Sequence, residues 1–179
     1  MRIKRLIVGE IATNCYLLVS GSEAAVIDPG DNAEQILTEI KETGAPLKYI
    51  INTHHHFDHV MAVAEVKAKT GAEILIHQVA AEIAPDLEAD RFLEEGEEVK
   101  VGDINLTVLH TPGHTEDSIS LLGPDFIFTG DTLFKDGYGR TDLPTGSAEK
   151  IKASLQRLSS ILRPGMMVYP GHGDFFTVC

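Results

Sequence analysis

The stretch Thr53-His54-His55-His56-Phe57-Asp58-His59 constrains this chain more than any other. Four of its residues, His54, His56, Asp58 and His59, carry side chains that ligate metals. Three more potential ligands follow, each beside a glycine: His114 after Gly113, Asp131 after Gly130, and His172 between Gly171 and Gly173. An apolar run that reads as a strand precedes each of these places. Strand ends in a layered domain gather on one edge, so the loops are expected to converge. Imidazole and carboxylate suit a borderline or moderately hard divalent ion such as Zn, Fe or Mn. Seven ligands exceed what one tetrahedral ion takes; they suit two ions with a shared carboxylate and open positions for water. His54 and His56 are two apart, so in extended backbone they point the same way and can chelate one ion. Asp58 and His59 continue towards a second. A polar loop with histidines by accident is the bland alternative, and the three glycine-flanked ligands argue against it.

The motifs resemble those of the metallo-β-lactamase superfamily. Thr-His-His-His-Phe-Asp-His is similar to its His-x-His-x-Asp-His signature, and Thr111-Pro112-Gly113-His114-Thr115, Thr129-Gly130-Asp131-Thr132 and Pro170-Gly171-His172-Gly173 resemble its later motifs in order. Gly130-Asp131-Thr132-Leu133-Phe134 and Gly139-Arg140-Thr141-Asp142-Leu143-Pro144 look most like the small glyoxalase II-like thioesterases. The resemblance runs from Asn14-Cys15-Tyr16 to Gly173. It implies an α/β fold, a four-layer αβ/βα sandwich with metals at one edge between the sheets. It also implies the ligand sets: His54, His56 and His114 for a first ion, Asp58, His59 and His172 for a second, and Asp131 bridging both.

Composition sets the frame. At 179 residues the chain fits one domain, 1–179, with a sizeable core. A net charge of −12 argues against nucleic acid or an anionic membrane as partner. No apolar run approaches membrane-spanning length, and the run after Met1-Arg2-Ile3-Lys4-Arg5 is too short for a signal peptide. A cytoplasmic location is the default expectation. Two cysteines make no disulfide framework: Cys15 reads as a core residue and Cys179 as a mobile terminus. Nothing in the sequence fixes the oligomeric state.

In chain order, Arg2 to Val8, Tyr16 to Ser20 and Ala24 to Ile27 read as strands, the last two joined by a Gly21-Ser22 hairpin. Asp28 ends a strand. It is either simple turn chemistry or a carboxylate that orients a ligand imidazole, and the resemblance favours the second. Asp31 to Thr43 reads as a helix capped by Asp31 with Glu34 three residues on. Leu47 to Asn52 delivers the histidine stretch, Met61 to Thr70 reads as a helix, and Glu73 to Ile76 as a strand. His55 reads as a rim or packing residue, and His77 as a polar residue at a strand end. Asp86 to Glu98 is strongly acidic and reads as a solvated loop. A second round follows: a hairpin about Gly102-Asp103, strands Ser118 to Leu122 and Asp125 to Thr129, a helix Ser147 to Leu162, and a strand Met166 to Tyr169. His110 reads as a packed residue or one that orients a ligand.

A metal-bound water loses its proton near neutral pH, with a pKa of about 7 instead of about 15.7. A hydroxide between two cations is then the expected nucleophile, with Asp58 both ligating and orienting it. No Gly-x-Ser-x-Gly elbow is present. The resemblance then implies hydrolysis of small acyl thioesters, with two divalent ions, zinc first and iron or manganese also compatible. Arg140 stands where glyoxalase II enzymes carry a lysine for the glutathione carboxylate. It is a candidate substrate contact, or else the partner of Asp142 or Asp136. Asp174 stands where those enzymes have a tyrosine, and their C-terminal helical domain is not expected here, which puts glutathione recognition in question. Two other readings remain open: a persulfide dioxygenase-like enzyme with a single Fe(II), and a metal-binding scaffold without turnover. β-Lactamase and nuclease activities are not expected.

Overall fold

The computed structural model describes residues 1–179. The first half holds six strands and four helices. They are β1 (Arg2–Val8), β2 (Thr13–Ser20), β3 (Glu23–Ile27), α1 (Ala33–Thr43), β4 (Leu47–Ile51), α2 (Phe57–Val60), α3 (Val63–Thr70), β5 (Glu73–His77) and α4 (Ala80–Ile83), closed by the short strand β6 (Arg91–Leu93). The second half comprises β7 (Glu98–Val101), β8 (Ile104–His110), β9 (Ile119–Leu122), β10 (Phe126–Gly130), α5 (Ala148–Ile161), β11 (Met167–Pro170) and β12 (Phe176–Thr177).

Two six-stranded sheets result, ordered β1-β2-β3-β4-β5-β6 and β12-β11-β10-β9-β8-β7. The central strands β2, β3, β4, β5 and β10 are buried on both faces, so they read as near-continuous apolar runs. Alternation along each strand then sorts side chains between layers. In β2, Cys15 and Leu17 face the helices while Tyr16 and Leu18 face the other sheet. In β4, Ile50 joins the helix-side core with Ile36 of α1 and Val66 of α3, and Ile51 joins the inter-sheet core. In β10, Phe126 and Phe128 point between the sheets, and Ile127 packs outward with Leu158 of α5. Three apolar interfaces separate four layers, the expected α/β/β/α sandwich.

Topology explains why the ligand loops meet. β3, β4 and β5 pair in parallel, so their C-terminal ends lie on one edge. β10 and β11 are parallel, and β8 runs the same way because β9 is antiparallel to both β8 and β10. The loops after β4, β8, β10 and β11 therefore open on one edge. Ile119 N donates to Thr53 O at 2.9 Å, and Asn14 N to Gly171 O at 2.7 Å, which tie the two sheets together there.

Several expectations are corrected. The helix expected from Met61 starts at Val63, and Phe57–Val60 of the histidine stretch forms a separate helical turn, held by Asn52 Nδ2 donating to His59 O at 3.0 Å. Asp31 does not cap α1. The residue before that helix is Asn32, in the left-handed region at φ 52°, and its Oδ1 accepts from Gly9 N instead. Asp31 Oδ1 accepts from Asn32 N, so the capping box gives way to a local turn. The acidic stretch holds β6, paired in parallel with β5, because Leu93 is fully buried between the sheets while the flanking carboxylates stay outside. β12 adds an edge strand after His172.

Candidate metal centre

All seven expected donors converge. His54, His56 and His114 form one cluster, Asp58, His59 and His172 another, and Asp131 joins His54 and His59 in a third that lies between them. Asp131 Oδ2 is 3.5 Å from both His114 Nε2 and His172 Nε2, and Asp131 Oδ1 is 3.4 Å from His59 Nε2. Asp58 Oδ2 lies 3.3 Å from His59 Nε2 and 3.2 Å from His172 Nε2.

These spacings fit a cation. Ligand bonds of about 2.0–2.2 Å around a tetrahedral ion leave donor-to-donor edges of roughly 3.3–3.6 Å. Buried Nε2 atoms of His54 and His59 and Oδ1 of Asp131 have no hydrogen-bond partner. Buried polar atoms are otherwise almost always paired, and a divalent ion would satisfy all three. His56 Nδ1 is closer to His114 Nε2, at 2.8 Å, a direct hydrogen bond between the rings.

The surroundings fix which nitrogens face inward. Thr53 Oγ1 lies 2.7 Å from Asp28 Oδ2 and 3.1 Å from His54 Nδ1. A hydroxyl has one hydrogen. It goes to the carboxylate, so the hydroxyl accepts from His54 Nδ1–H, and His54 Nε2 is left with its lone pair towards the cluster. His114 Nδ1 donates to Arg140 O at 2.7 Å, with the same consequence for His114 Nε2. Asp28 also accepts from Thr53 N at 2.7 Å and lies 3.0 Å from His59 Nδ1, a contact off the N–H axis. Asp28 thus reaches two imidazoles of the donor clusters, His54 through Thr53 and His59 by direct contact. Thr13 Oγ1 donates to Asp58 Oδ2 at 2.8 Å. Tyr16 Oη and Asn14 Nδ2 both donate to Pro170 O, which fixes the approach to His172.

Electrostatics agree with this arrangement. Burial, then the neighbouring imidazoles, pushes His54 well below its ordinary range, and burial with His114 takes His56 down to about 4. Burial alone would raise the Asp58 carboxyl, but His172 and His59 hold it below the usual range; His59 does the same for Asp131. Burial also opposes charge on His59 and His172. Asp131 and Asp28 nevertheless raise the first, and Asp58 raises the second. The carboxylates thus favour protonation of these two imidazoles. Cations would compete with protons there, the usual coupling of metal binding to deprotonation.

Two glycines let the loops close. A Cβ on Gly171 would stand 2.2 Å from Asp131 Oδ1, and one on Gly130 would stand 2.4 Å from Thr53 Oγ1. Arg140 sends its carbonyl to His114, while its side chain is 63% exposed and forms two hydrogen bonds to Asp142. His55 pairs with the buried Asp117 at 2.8 Å, and His77 stacks on His110 with ring centroids 4.1 Å apart; none joins the donor clusters. Thr13, Asn14, Tyr16, Thr53 and Asp117 are the contributors that sequence reasoning left without a role. Thr53, heading the histidine stretch, and Asn14 and Tyr16, at the start of the resemblance, gave a signal; Thr13 and Asp117 gave none.

The profile of the metallo-β-lactamase superfamily matches residues 8–172. The chain belongs to that superfamily. It is 34% identical to the hydroxyacylglutathione hydrolase GloC of Haemophilus influenzae over 198 residues, covering 99% of this chain and 93% of that protein. Among solved structures, ETHE1 from Myxococcus xanthus matches with a TM-score of 0.90 and 34% identity, over 99% of this chain and 80% of that one. TTHA1623 in a di-iron-bound form matches with a TM-score of 0.84 and 34% identity, over 97% and 94%. The superfamily is one of metallo-hydrolases, its fold implies a divalent metal pair, and the His/Asp cluster has the donors for one. No helix is long and apolar enough to cross a membrane.

Proposed function

We propose that this protein hydrolyses small acyl thioesters in the manner of glyoxalase II, as a metal-dependent enzyme of the cytoplasm. The observation that carries the reading is the second cluster. Asp58, His59 and His172 stand complete beside the first, with Asp131 between the two. The likeness to a hydroxyacylglutathione hydrolase over nearly the whole chain supports it.

In this reading His54, His56 and His114 would hold one ion and Asp58, His59 and His172 the other, with Asp131 available to both. The ions would supply a water deprotonated near neutral pH and polarise the carbonyl. Overall, water oxygen bonds to the carbonyl carbon and the C–S bond breaks; of the two protons the water gives up, one goes to the departing thiolate and one is released to solvent, giving a carboxylate and a thiol. Asp58 keeps one orientation because Thr13 donates to its Oδ2, so it is poised both to ligate and to accept a hydrogen bond from the attacking water. Asp28 holds His54 through Thr53 and lies against His59. Arg140 is the proposed contact for a substrate carboxylate, in competition with Asp142. Zinc is the first candidate metal, with iron or manganese also suited to the donor set.

A second reading, a persulfide dioxygenase-like centre with one Fe(II), is supported by the likeness to ETHE1. The deciding experiment is anaerobic metal analysis paired with two assays, thioester cleavage and oxygen uptake with a persulfide. Two ions and thioester cleavage support the hydrolase. One iron with oxygen uptake supports the alternative. Bound metal with neither activity would make the protein a scaffold.

A further inference from the structure

Beside Asp58 lies a cavity of about 390 Å³, within the size range of small-molecule sites. Val8, Ile11, Thr13, Phe57, Asp58 and Met61 line it, so one wall is a residue of the second donor cluster and much of the rest is apolar. Phe57 and Met61 are 65% and 60% exposed, and Ile11, in the β1–β2 connection, is 53% exposed. Phe57 and Met61 lie four apart across the turn of α2, so they share a face. Apolar side chains that stand open together beside a polar cluster mark a ligand groove more often than chance exposure. The rim is acidic: Glu10 and Asp31 border the same cavity. A carboxylate entering here would meet like charge, and an apolar neutral group would not.

Resting on the thioesterase reading above, we infer that this cleft binds an aliphatic or aryl substituent of a neutral thioester, with Ile11, Phe57 and Met61 setting specificity. The preferred substrate class is then apolar thioesters, and anionic groups are rejected at this side of the centre. The substituent belongs either to the acyl part or to the thiol part; the chemistry of recognition is the same.

Two substrate series separate those sources. One varies the acyl chain from acetyl to hexanoyl on a fixed neutral thiol; the other varies the thiol from methyl to hexyl with a fixed acetyl group. In one series kcat/KM rises about fourfold for each buried methylene, and Phe57→Ser and Met61→Ser flatten that rise. Phe92→Ser, an exposed apolar residue on β6, leaves the rise intact. A succinyl thioester is turned over more slowly than the butyryl one, and Glu10→Gln narrows the gap. Binding is read separately by methyl NMR of Ile11 and Met61 on adding an uncleavable hexyl thioether. Flat series in an active wild-type enzyme, or a rise that survives both serine variants, would overturn the inference and leave the thioesterase reading standing. Absence of all thioester cleavage with perturbed Ile11 and Met61 methyls would sink the thioesterase reading and keep the apolar cleft. No cleavage and no perturbed methyls would remove both.

Discussion

Asp28 and His54 are joined through a single hydroxyl. Thr53 Oγ1 gives its hydrogen to the carboxylate and takes one from the imidazole, so a residue at the end of β3 decides which nitrogen of His54 faces the donor cluster. Asp28 reaches this position from the left-handed region, φ 53°, which aspartate tolerates better than most residues. Thr53→Val keeps the shape and removes the relay. Metal affinity should fall about 10–100-fold, with a stability loss of about 1–3 kcal/mol from the stranded carboxylate oxygen. Chelator competition and denaturant titration measure the two effects, and Thr53→Ser should restore both. Wild-type metal affinity in Thr53→Val would mean that the relay does not position His54.

Gly171→Ala should fold and yet fail in chemistry. The new methyl would stand 2.2 Å from Asp131 Oδ1 and 2.8 Å from His59 Cε1, so one of the two donors must move. A displacement of that size at a reactive centre costs about 100-fold in turnover. Unchanged kcat and metal content in a variant of native circular dichroism would contradict the clash.

Acid should find a weak point away from the metals. Burial, then the stacked His110, lowers His77 to about 4. The unfolded chain, with an imidazole pKa of about 6.5, therefore binds more protons between those values, and stability falls as pH drops through that window. His77→Phe removes the group. From pH 7 to pH 5 the wild type should lose about 1–2 kcal/mol more than the variant in urea titrations. Equal losses would show that His77 titrates normally.

Arg140 and Asp142 hold each other at the surface, and such exposed pairs are weak and salt-sensitive. Asp142→Asn should free the guanidinium and lower KM for carboxylate-bearing thioesters about two- to fivefold. Arg140→Ala should raise that KM and leave metal content unchanged, because the bond to His114 comes from the backbone carbonyl. If both variants kept the wild-type KM for charged and neutral substrates alike, Arg140 would have no part in recognition.

The donors were legible because each sits in a short motif and their chemistry requires those residue types. The strands were legible from their apolar runs, and Ser147 announced α5 by a side-chain cap that accepts from Lys150 N. What stayed hidden depends on contacts distant in sequence. Leu93 alone marks β6, and its burial comes from the opposite sheet rather than from local pattern. Asn32 displaces Asp31 as the residue before α1 because Gly9, from the β1–β2 connection, needs an acceptor. Thr13 and Tyr16 gained roles only when folding brought Asp58 and Pro170 to them. The apolar cleft likewise joins α2 to the β1–β2 connection, segments more than 40 residues apart.

The central claim is that seven side chains make two ion sites sharing Asp131. Anomalous diffraction at the absorption edge of the bound metal, on metal-replete protein whose content is also counted by elemental analysis, tests it most directly. Two peaks per chain are expected, one among His54, His56 and His114 and one among Asp58, His59 and His172, with Asp131 contacting both. A single peak at saturating metal, with Asp58, His59 and His172 unligated, would contradict the account.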